Sequence, residues 1–289
     1  MQRIKYLIVG GDMRSFYLSE LLKNEYHMVE IYGFDKKTAK NKNKNLTHIT
    51  DDADVIICGI PLVSAGGFIN MPFSEESLSI NTFIGMIPEN TIFFAGKVDK
   101  DIREKLSEKS IFYVDLLDRE EMAVLNAIPA AEGAVELIIK SIPKTIHNSR
   151  ILILGYGRIG KVLAGILKGF GADVWIGARK YSDLSWIEVN SCKPVHTRDL
   201  ERYVTDMNVI INTIPSPIIT ADILNKIRPD CYLIDLASKP GGIDFEHAKK
   251  LGLQVDWALS LPGKVAPLTA AEIIKKTIDN VLQEGVGKG

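Results

Sequence analysis

Ile151-Leu152-Ile153-Leu154-Gly155-Tyr156-Gly157-Arg158-Ile159-Gly160-Lys161-Val162-Leu163-Ala164 reads as a buried strand, a glycine turn and the start of a helix. The strand is four apolar residues with no polar interruption, as a strand covered on both faces of a parallel sheet requires. Val162, Leu163, Ile166, Leu167 and Phe170 then recur at helical spacing. Each glycine has a job in binding a pyrophosphate. Gly155 permits the tight turn, Gly157 removes a Cβ from the path of the phosphates, and Gly160 lets the helix pack on the strand. The helix N-terminus around Arg158 and Ile159 then faces the anion with its free N–H groups and positive dipole end.

The next strand, from Asp173, runs into Gly177-Ala178-Arg179-Lys180. A site for NAD places an Asp or Glu on the ribose hydroxyls there, about 20 residues after the glycines. No carboxylate stands at this point. Arg179 and Lys180, with Ser182 close by, suit the 2′-phosphate of NADP, because a guanidinium grips a phosphate through two charge-assisted hydrogen bonds. NADP is therefore the expected cofactor.

The chain has 289 residues, 46% hydrophobic and 25% charged, with a formal net charge of −1. That length and composition predict a globular protein with two cores. The near-zero charge offers no field for nucleic acid or an anionic membrane. Three cysteines, Cys58, Cys192 and Cys231, form no close pair, so neither a disulfide framework nor a zinc site is expected. No signal-peptide core precedes the first strand and no apolar stretch reads as long enough to cross a bilayer, so a cytoplasmic location is expected.

The first half echoes the second. Ile4-Lys5-Tyr6-Leu7-Ile8-Val9-Gly10-Gly11-Asp12 is again strand and glycine turn, followed by a helix over residues 16–22 and a strand over 28–32. The third glycine is missing and Asp12 would repel a pyrophosphate, so this half reads as a substrate domain. Residues 54–61 match 208–215 in pattern, both apolar strands ending in proline. The expected fold is α/β, with two Rossmann-like parallel-sheet domains, a cleft between them and crossing helices linking them. Residues 1–128 form the first domain, completed by a C-terminal helix over 268–284. A helix opened by Pro129 and stopped by Pro143 bridges over 129–143, and 144–267 form the NADP domain. Thr269 to Glu272 read as a capping box for the last helix. The Lys- and Asn-rich run 36–45 reads as a solvated connection, and the tail 285–289 as mobile.

Ligands of open parallel sheets bind beyond the carboxyl ends of the strands, which selects the candidate loops. Asn212, Thr213 and Pro215 lie on one such loop and Ser238 on another, as candidate cofactor contacts, with Asn212 and Ser238 suited equally to stabilising their loops. Arg14, Arg119 and Lys239 are the cations placed to hold a carboxylate, with Lys97 and Lys264 as weaker candidates. Ser64 lies on the loop after the 54–61 strand. Glu132 suits either a helix-dipole role or a catalytic acid–base role. The five histidines show neither a carboxylate partner nor metal-ligand spacing.

Gly10-Gly11-Asp12-x-Arg14, Asp118-Arg119, Asn126-Ala127-Ile128-Pro129-Ala130-Ala131-Glu132-Gly133, Asn212-Thr213-Ile214-Pro215-Ser216, Asp235 to Gly242 and Leu261-Pro262-Gly263-x-Val265-Ala266-Pro267 together resemble the A-chain family of dipicolinate synthase. The likeness covers nearly the whole chain. Ala130 stands where that family's pattern would have Thr, and Lys239 where Arg is usual. The resemblance implies NADP-dependent dehydrogenation of a dihydrodipicolinate or hydroxy-tetrahydrodipicolinate to dipicolinate during sporulation, in the mother cell, with a flavoprotein-like B subunit as partner and a homo-oligomeric assembly. It also implies Glu132, Arg119 and Asn126 as catalytic candidates, and Arg14, Ser64 and Lys239 as substrate-binding ones. Two other readings share the fold: another NADP-dependent amino- or hydroxy-acid dehydrogenase, and a noncatalytic NADP-binding subunit that stabilises a partner.

Overall fold

The computed structural model describes residues 3–37 and 45–285. Most of the Lys- and Asn-rich run, and residues 286–289 of the tail, lie outside the described residues. The chain divides into two compact units: residues up to Leu125 together with those from Ala266 onward, and Asn126–Val265 between them.

The first unit alternates β1 (Lys5–Val9), α1 (Met13–Asn24), β2 (Met28–Tyr32), α2 (Leu46–Asp51), β3 (Val55–Cys58), α3 (Ile80–Met86), β4 (Ile92–Ala95), α4 (Lys100–Glu108), β5 (Phe112–Asp115) and α5 (Glu120–Leu125). Its five strands lie in the order β2-β1-β3-β4-β5, all parallel. Side chains alternate between the two faces of each strand, so one apolar run feeds two cores. Leu7, Val9, Ile56 and Phe93 enter one core. Tyr6, Ile8, Val55, Ile57 and Phe94 enter the other.

The second unit opens with α6 (Ala127–Ser141) and continues β6 (Arg150–Leu154), α7 (Arg158–Gly169), β7 (Asp173–Ala178), α8 (Tyr181–Val189), β8 (Lys193–His196), β9 (Val209–Asn212), α9 (Ala221–Leu224), β10 (Tyr232–Asp235), α10 (Phe245–Lys250), β11 (Val255–Trp257) and α11 (Leu261–Val265). Its six parallel strands are ordered β11-β10-β9-β6-β7-β8, which is the order of a doubly wound nucleotide-binding sheet. Ile151, Ile153, Ile211 and Ile234 pack against α6 and α7 on one face. Leu152, Leu154, Ile210 and Leu233 fill the other. Each of these fully buried aliphatics contributes about 1.5–3 kcal/mol relative to exposure.

The chain ends with α12 (Pro267–Gln283), whose Ala271, Ile274, Ile278 and Val281 pack with Leu18 and Leu22 of α1 in the first unit.

Three expectations are corrected. The helix expected as a separate bridge belongs to the second unit: Ala131, Ala134, Val135 and Ile138 are part of its core. It starts at Ala127 rather than at Pro129, because a proline in the first turn lacks only an N–H that has no partner there anyway. The capping box at Thr269 is not used. The last helix starts at Pro267, after Ala266, and its cap carries no side-chain hydrogen bond. The segment Glu120–Ser141 is in fact long and apolar enough to cross a membrane by length and composition, and half of its most apolar window is buried inside the protein.

Candidate functional site

The register of the second sheet lines up Gly177, Leu154, Asn212, Asp235 and Trp257 across five adjacent strands. This row is the carboxyl edge, where the connecting loops must present any ligand-binding groups.

At its centre lies the glycine turn. Gly155 has φ +104°, and a Cβ there would lie 2.3 Å from Thr213 Oγ1. At Gly160 a Cβ would lie 2.1 Å from the Gly155 carbonyl oxygen, so helix α7 reaches its strand only because that side chain is absent. Gly157, by contrast, has nothing within 4 Å of where its Cβ would be. It occupies the N-cap of α7 and supplies no side-chain cap, leaving the first N–H groups of the helix without one. Two glycines are thus required by packing and the third keeps a space open at a positive helix end. That open cradle is what a pyrophosphate fits.

Two loops beside the turn are tied together by a buried polar cluster. Asn212 Nδ2 donates to the Ile214 carbonyl at 3.0 Å and to Asp235 Oδ1 at 2.9 Å, while Asn212 Oδ1 accepts from Ile214 N–H at 3.0 Å. Asp235 also accepts from Ala237 N–H at 2.9 Å and from Gly242 N–H at 2.7 Å. Both side chains are fully buried. The Thr213 hydroxyl donates to the Leu154 carbonyl at 2.8 Å. Asn212 and Thr213 therefore spend these donors on loop geometry. Pro215 and Ser238, on the two loops so held, are exposed. Along the sequence Asp235 stands inside a longer motif with no role of its own. Its signal is an acid at the end of an apolar strand, followed by small residues and Gly241-Gly242, whose backbone can turn back onto it.

Arg179 and Lys180 follow β7 directly, both exposed, with Lys180 at the N-cap of α8. Neither has an ion-pair partner among the described residues. Two unneutralised cations at the end of the second strand, with no carboxylate at its tip, retain their full attraction for an added phosphate.

Glu132 lies in the second turn of α6, exposed and unpaired among the described residues, so a helix-terminus role is weakened by its distance from the first turn. Asn126 is the N-cap of α6, yet its side chain makes no capping hydrogen bond. Lys239 is exposed, without a partner among the described residues. Lys264 is exposed on α11.

In the first unit the equivalent turn is closed. Asp12 holds the N-cap of α1, the station Gly157 holds in α7, and its carboxylate accepts from Arg14 N–H at 3.0 Å. Arg14 is buried and returns two side-chain hydrogen bonds of 2.9 Å to Asp12, with another to the Ile60 carbonyl. A protein carboxylate thus takes the place where the other unit leaves room for an anion. Arg14, expected to hold a substrate carboxylate, already holds this one. Arg119 is similarly committed: it pairs with Glu284 through hydrogen bonds of 3.0 and 2.6 Å and with Glu121 at 2.7 Å. These carboxylates, Glu284 first, raise its pKa further. The Ser64 hydroxyl donates to the Phe68 carbonyl at 3.2 Å within a tight antiparallel turn. For Arg14 and Arg119 a substrate carboxylate would have to displace an internal one. Lys97 is exposed, its backbone N–H bound to Asp115.

Among the described residues no three His, Cys, Asp or Glu side chains cluster as a metal site. All three cysteines are free and buried.

Comparison with known proteins gives a family match in each unit. Residues 5–117 match the family model of the N-terminal domain of the dipicolinate synthase A subunit, and residues 135–240 match that of the D-isomer specific 2-hydroxyacid dehydrogenase NAD-binding domain. The A subunit of dipicolinate synthase from Bacillus subtilis (strain 168) is 31% identical over 286 residues, covering 97% of this chain and 96% of the relative. The crystal structure of the dipicolinate synthase A subunit from Bacillus halodurans superposes with a TM-score of 0.88 at 29% identity, covering 97% of this chain and 99% of that one. That of the A chain from Bacillus subtilis gives 0.87 at 30%, covering 98% and 97%. The second unit is a nicotinamide-dinucleotide-binding domain of the dehydrogenase type.

Proposed function

Since the chain belongs to the dipicolinate synthase A-subunit family, we propose that it oxidises a dihydrodipicolinate, or its hydroxy-tetrahydro precursor after loss of water, to pyridine-2,6-dicarboxylate, with NADP as the oxidant. The observation that carries this reading is the pairing of an open phosphate cradle at Gly157 with two cations, Arg179 and Lys180, that stand at the tip of β7 without an ion-pair partner among the described residues.

In this reading Gly155, Gly157, Gly160 and the backbone N–H groups around Arg158 and Ile159 hold the pyrophosphate. Arg179 and Lys180 hold the 2′-phosphate. The loops bearing Pro215 and Ser238 position the nicotinamide, and Asn212, Thr213 and Asp235 keep those loops in place. A nicotinamide dinucleotide, when bound, supplies the hydride-accepting carbon. Glu132, or a water it orients, takes the proton that leaves the ring. The ring thus loses one hydride and one proton, two electrons in all, and becomes aromatic, which drives the reaction forward. Lys239 binds a substrate carboxylate as a point charge, with Asn126 and Ser64 as hydrogen-bonding groups. Arg14 and Arg119 take part by exchanging an internal carboxylate for the substrate's. A B subunit works with this chain, and the setting is the mother cell during sporulation.

The test is to incubate the purified chain, with and without a B subunit, with NADP+ and freshly condensed aspartate semialdehyde and pyruvate. Dipicolinate absorbing in the near ultraviolet, formed with NADPH in equal amount, is the expected result. No dipicolinate under either condition would exclude the reaction.

A further inference from the structure

Within the second unit, α7 and α8 border a groove of about 420 Å³. It is separate from the carboxyl-edge loops except at one residue, Tyr156, which stands between the glycines of the phosphate turn and also lines the groove.

The lining has a consistent chemistry. Lys161, Ala164, Gly165 and Lys168 share one face of α7, at the three- and four-residue steps that bring side chains into line. The two small residues leave the middle of that face empty. A Cβ at Gly165 would meet nothing within 4 Å. The lysines flank this gap, about 10 Å apart along the axis by the helical rise. Trp186 of α8 lines the groove and is 61% exposed, although a tryptophan is costly to leave in water. Among the described residues no carboxylate lines the groove, and Asp183 acts on Tyr156 only through its charge. Small residues at the centre, an aromatic plane on one side and an ammonium at each end are the complement of a flat aromatic dianion.

The groove is also wired to the turn. The Tyr156 hydroxyl accepts from Asn190 Nδ2 at 3.1 Å, the Lys161 ammonium sits 5.3 Å from the centre of the Tyr156 ring, and Lys168 donates to the Asn190 carbonyl. An anion held here by the two lysines draws Lys161 off Tyr156 and cancels positive potential beside the pyrophosphate cradle.

We infer that this groove is a second, noncatalytic site for a planar aromatic dicarboxylate, and that its occupation weakens cofactor binding. The choice of ligand rests on the proposed reaction, whose product is such a molecule; the charge and shape of the groove do not. The coupling is reciprocal, since each ligand must change the other's affinity by the same factor.

The experiment is a fluorescence titration of the full chain with pyridine-2,6-dicarboxylate, followed by calorimetric titration of NADP+ at saturating dicarboxylate. Expected are saturable quenching that disappears in Trp186→Phe, and a dissociation constant about tenfold higher in the Lys161→Gln/Lys168→Gln double variant. Gly165→Leu, whose side chain grows into open space, should block the groove without unfolding the unit. In the wild type the NADP+ dissociation constant should rise to a plateau about fivefold higher, and in Gly165→Leu it should not move. Absence of quenching would overturn the inference, and so would affinity unchanged in the lysine and leucine variants. A rise in the NADP+ constant that never reaches a plateau would also overturn it, by placing the dicarboxylate in the cofactor site. None of these readouts requires turnover, so failure of the proposed reaction and failure of the second site are told apart.

Discussion

Asn212 and Asp235, on neighbouring parallel strands and both fully buried, are joined by a 2.9 Å hydrogen bond that ties together the two loops beside the glycine turn. Because Asp235 also accepts from the backbone of Ala237 and Gly242, one carboxylate fixes the path of the loop that carries Ser238 and Lys239. Replacing Asp235 by Ala leaves three buried donors without an acceptor. The expected cost is roughly 3 kcal/mol, because an unsatisfied buried group loses its full desolvation energy. Urea unfolding would measure it, and a loss below about 1 kcal/mol would contradict the anchoring role.

Gly157 and Gly160 separate binding from folding. Gly160→Ala places a Cβ 2.1 Å from a backbone oxygen, so it must displace α7 and lower the melting temperature. Gly157→Ala meets no protein atom and should melt like the wild type, while NADP+ affinity falls as the methyl group enters the cradle. Melting curves and calorimetry on both variants would show the contrast. Equal melting temperatures would refute it.

Arg179→Ala should discriminate between the two dinucleotides. Loss of a charge-assisted pair to a phosphate costs about 1.5–3 kcal/mol, which raises the NADP+ dissociation constant roughly 10- to 100-fold and leaves that of NAD+ nearly unchanged. A parallel fall for both cofactors would show that Arg179 does not read the 2′-phosphate.

Asp12→Ala removes the cap of α1 and the partner of Arg14. About 1 kcal/mol follows from the cap, and further loss from the buried guanidinium left without its counter-charge. NADP+ affinity should stay as it is, since the glycine turn of the other unit is untouched. A differential melt with a binding titration tests both halves of the statement.

Arg119 hydrogen-bonds the Glu284 carboxylate and holds its pKa below the usual value of 4.5. A carboxylate depressed in the folded state contributes stability above its unfolded pKa and loses it as the pH falls through the folded one. The stabilisation from this pair is therefore complete above about pH 5.5 and fades on the acid side. Glu284→Gln should flatten the acid limb of the melting temperature below about pH 5 and change little at neutral pH. An unaltered acid limb would show that the pair contributes nothing.

Much of the architecture is legible in the sequence because parallel strands covered on both faces must be continuously apolar. The runs at Tyr6–Val9, Val55–Cys58, Ile151–Leu154 and Val209–Asn212 therefore announce themselves. β8 escapes that signal: Lys193-Pro194-Val195-His196 is a mostly exposed edge strand with one buried residue, too little for a pattern. The helix start expected at Pro129 lies at Ala127 because packing draws Ala127 into a buried position ahead of the proline.

The glycine turn, the absence of a carboxylate after β7 and the basic pair in its place follow from residue type and spacing alone, since backbone sterics and phosphate charge act over a few residues. Which ionic side chains are already taken does not. Arg14, Arg119 and Lys239 look alike along the chain. Yet the partners of the first two, Asp12 with the Ile60 carbonyl and Glu284 with Glu121, were brought to them by a turn and by the return of α12. Lys239 was left without one among the described residues. Pairing depends on distances of a few ångströms between residues as far as 165 positions apart, and only the packed chain sets those.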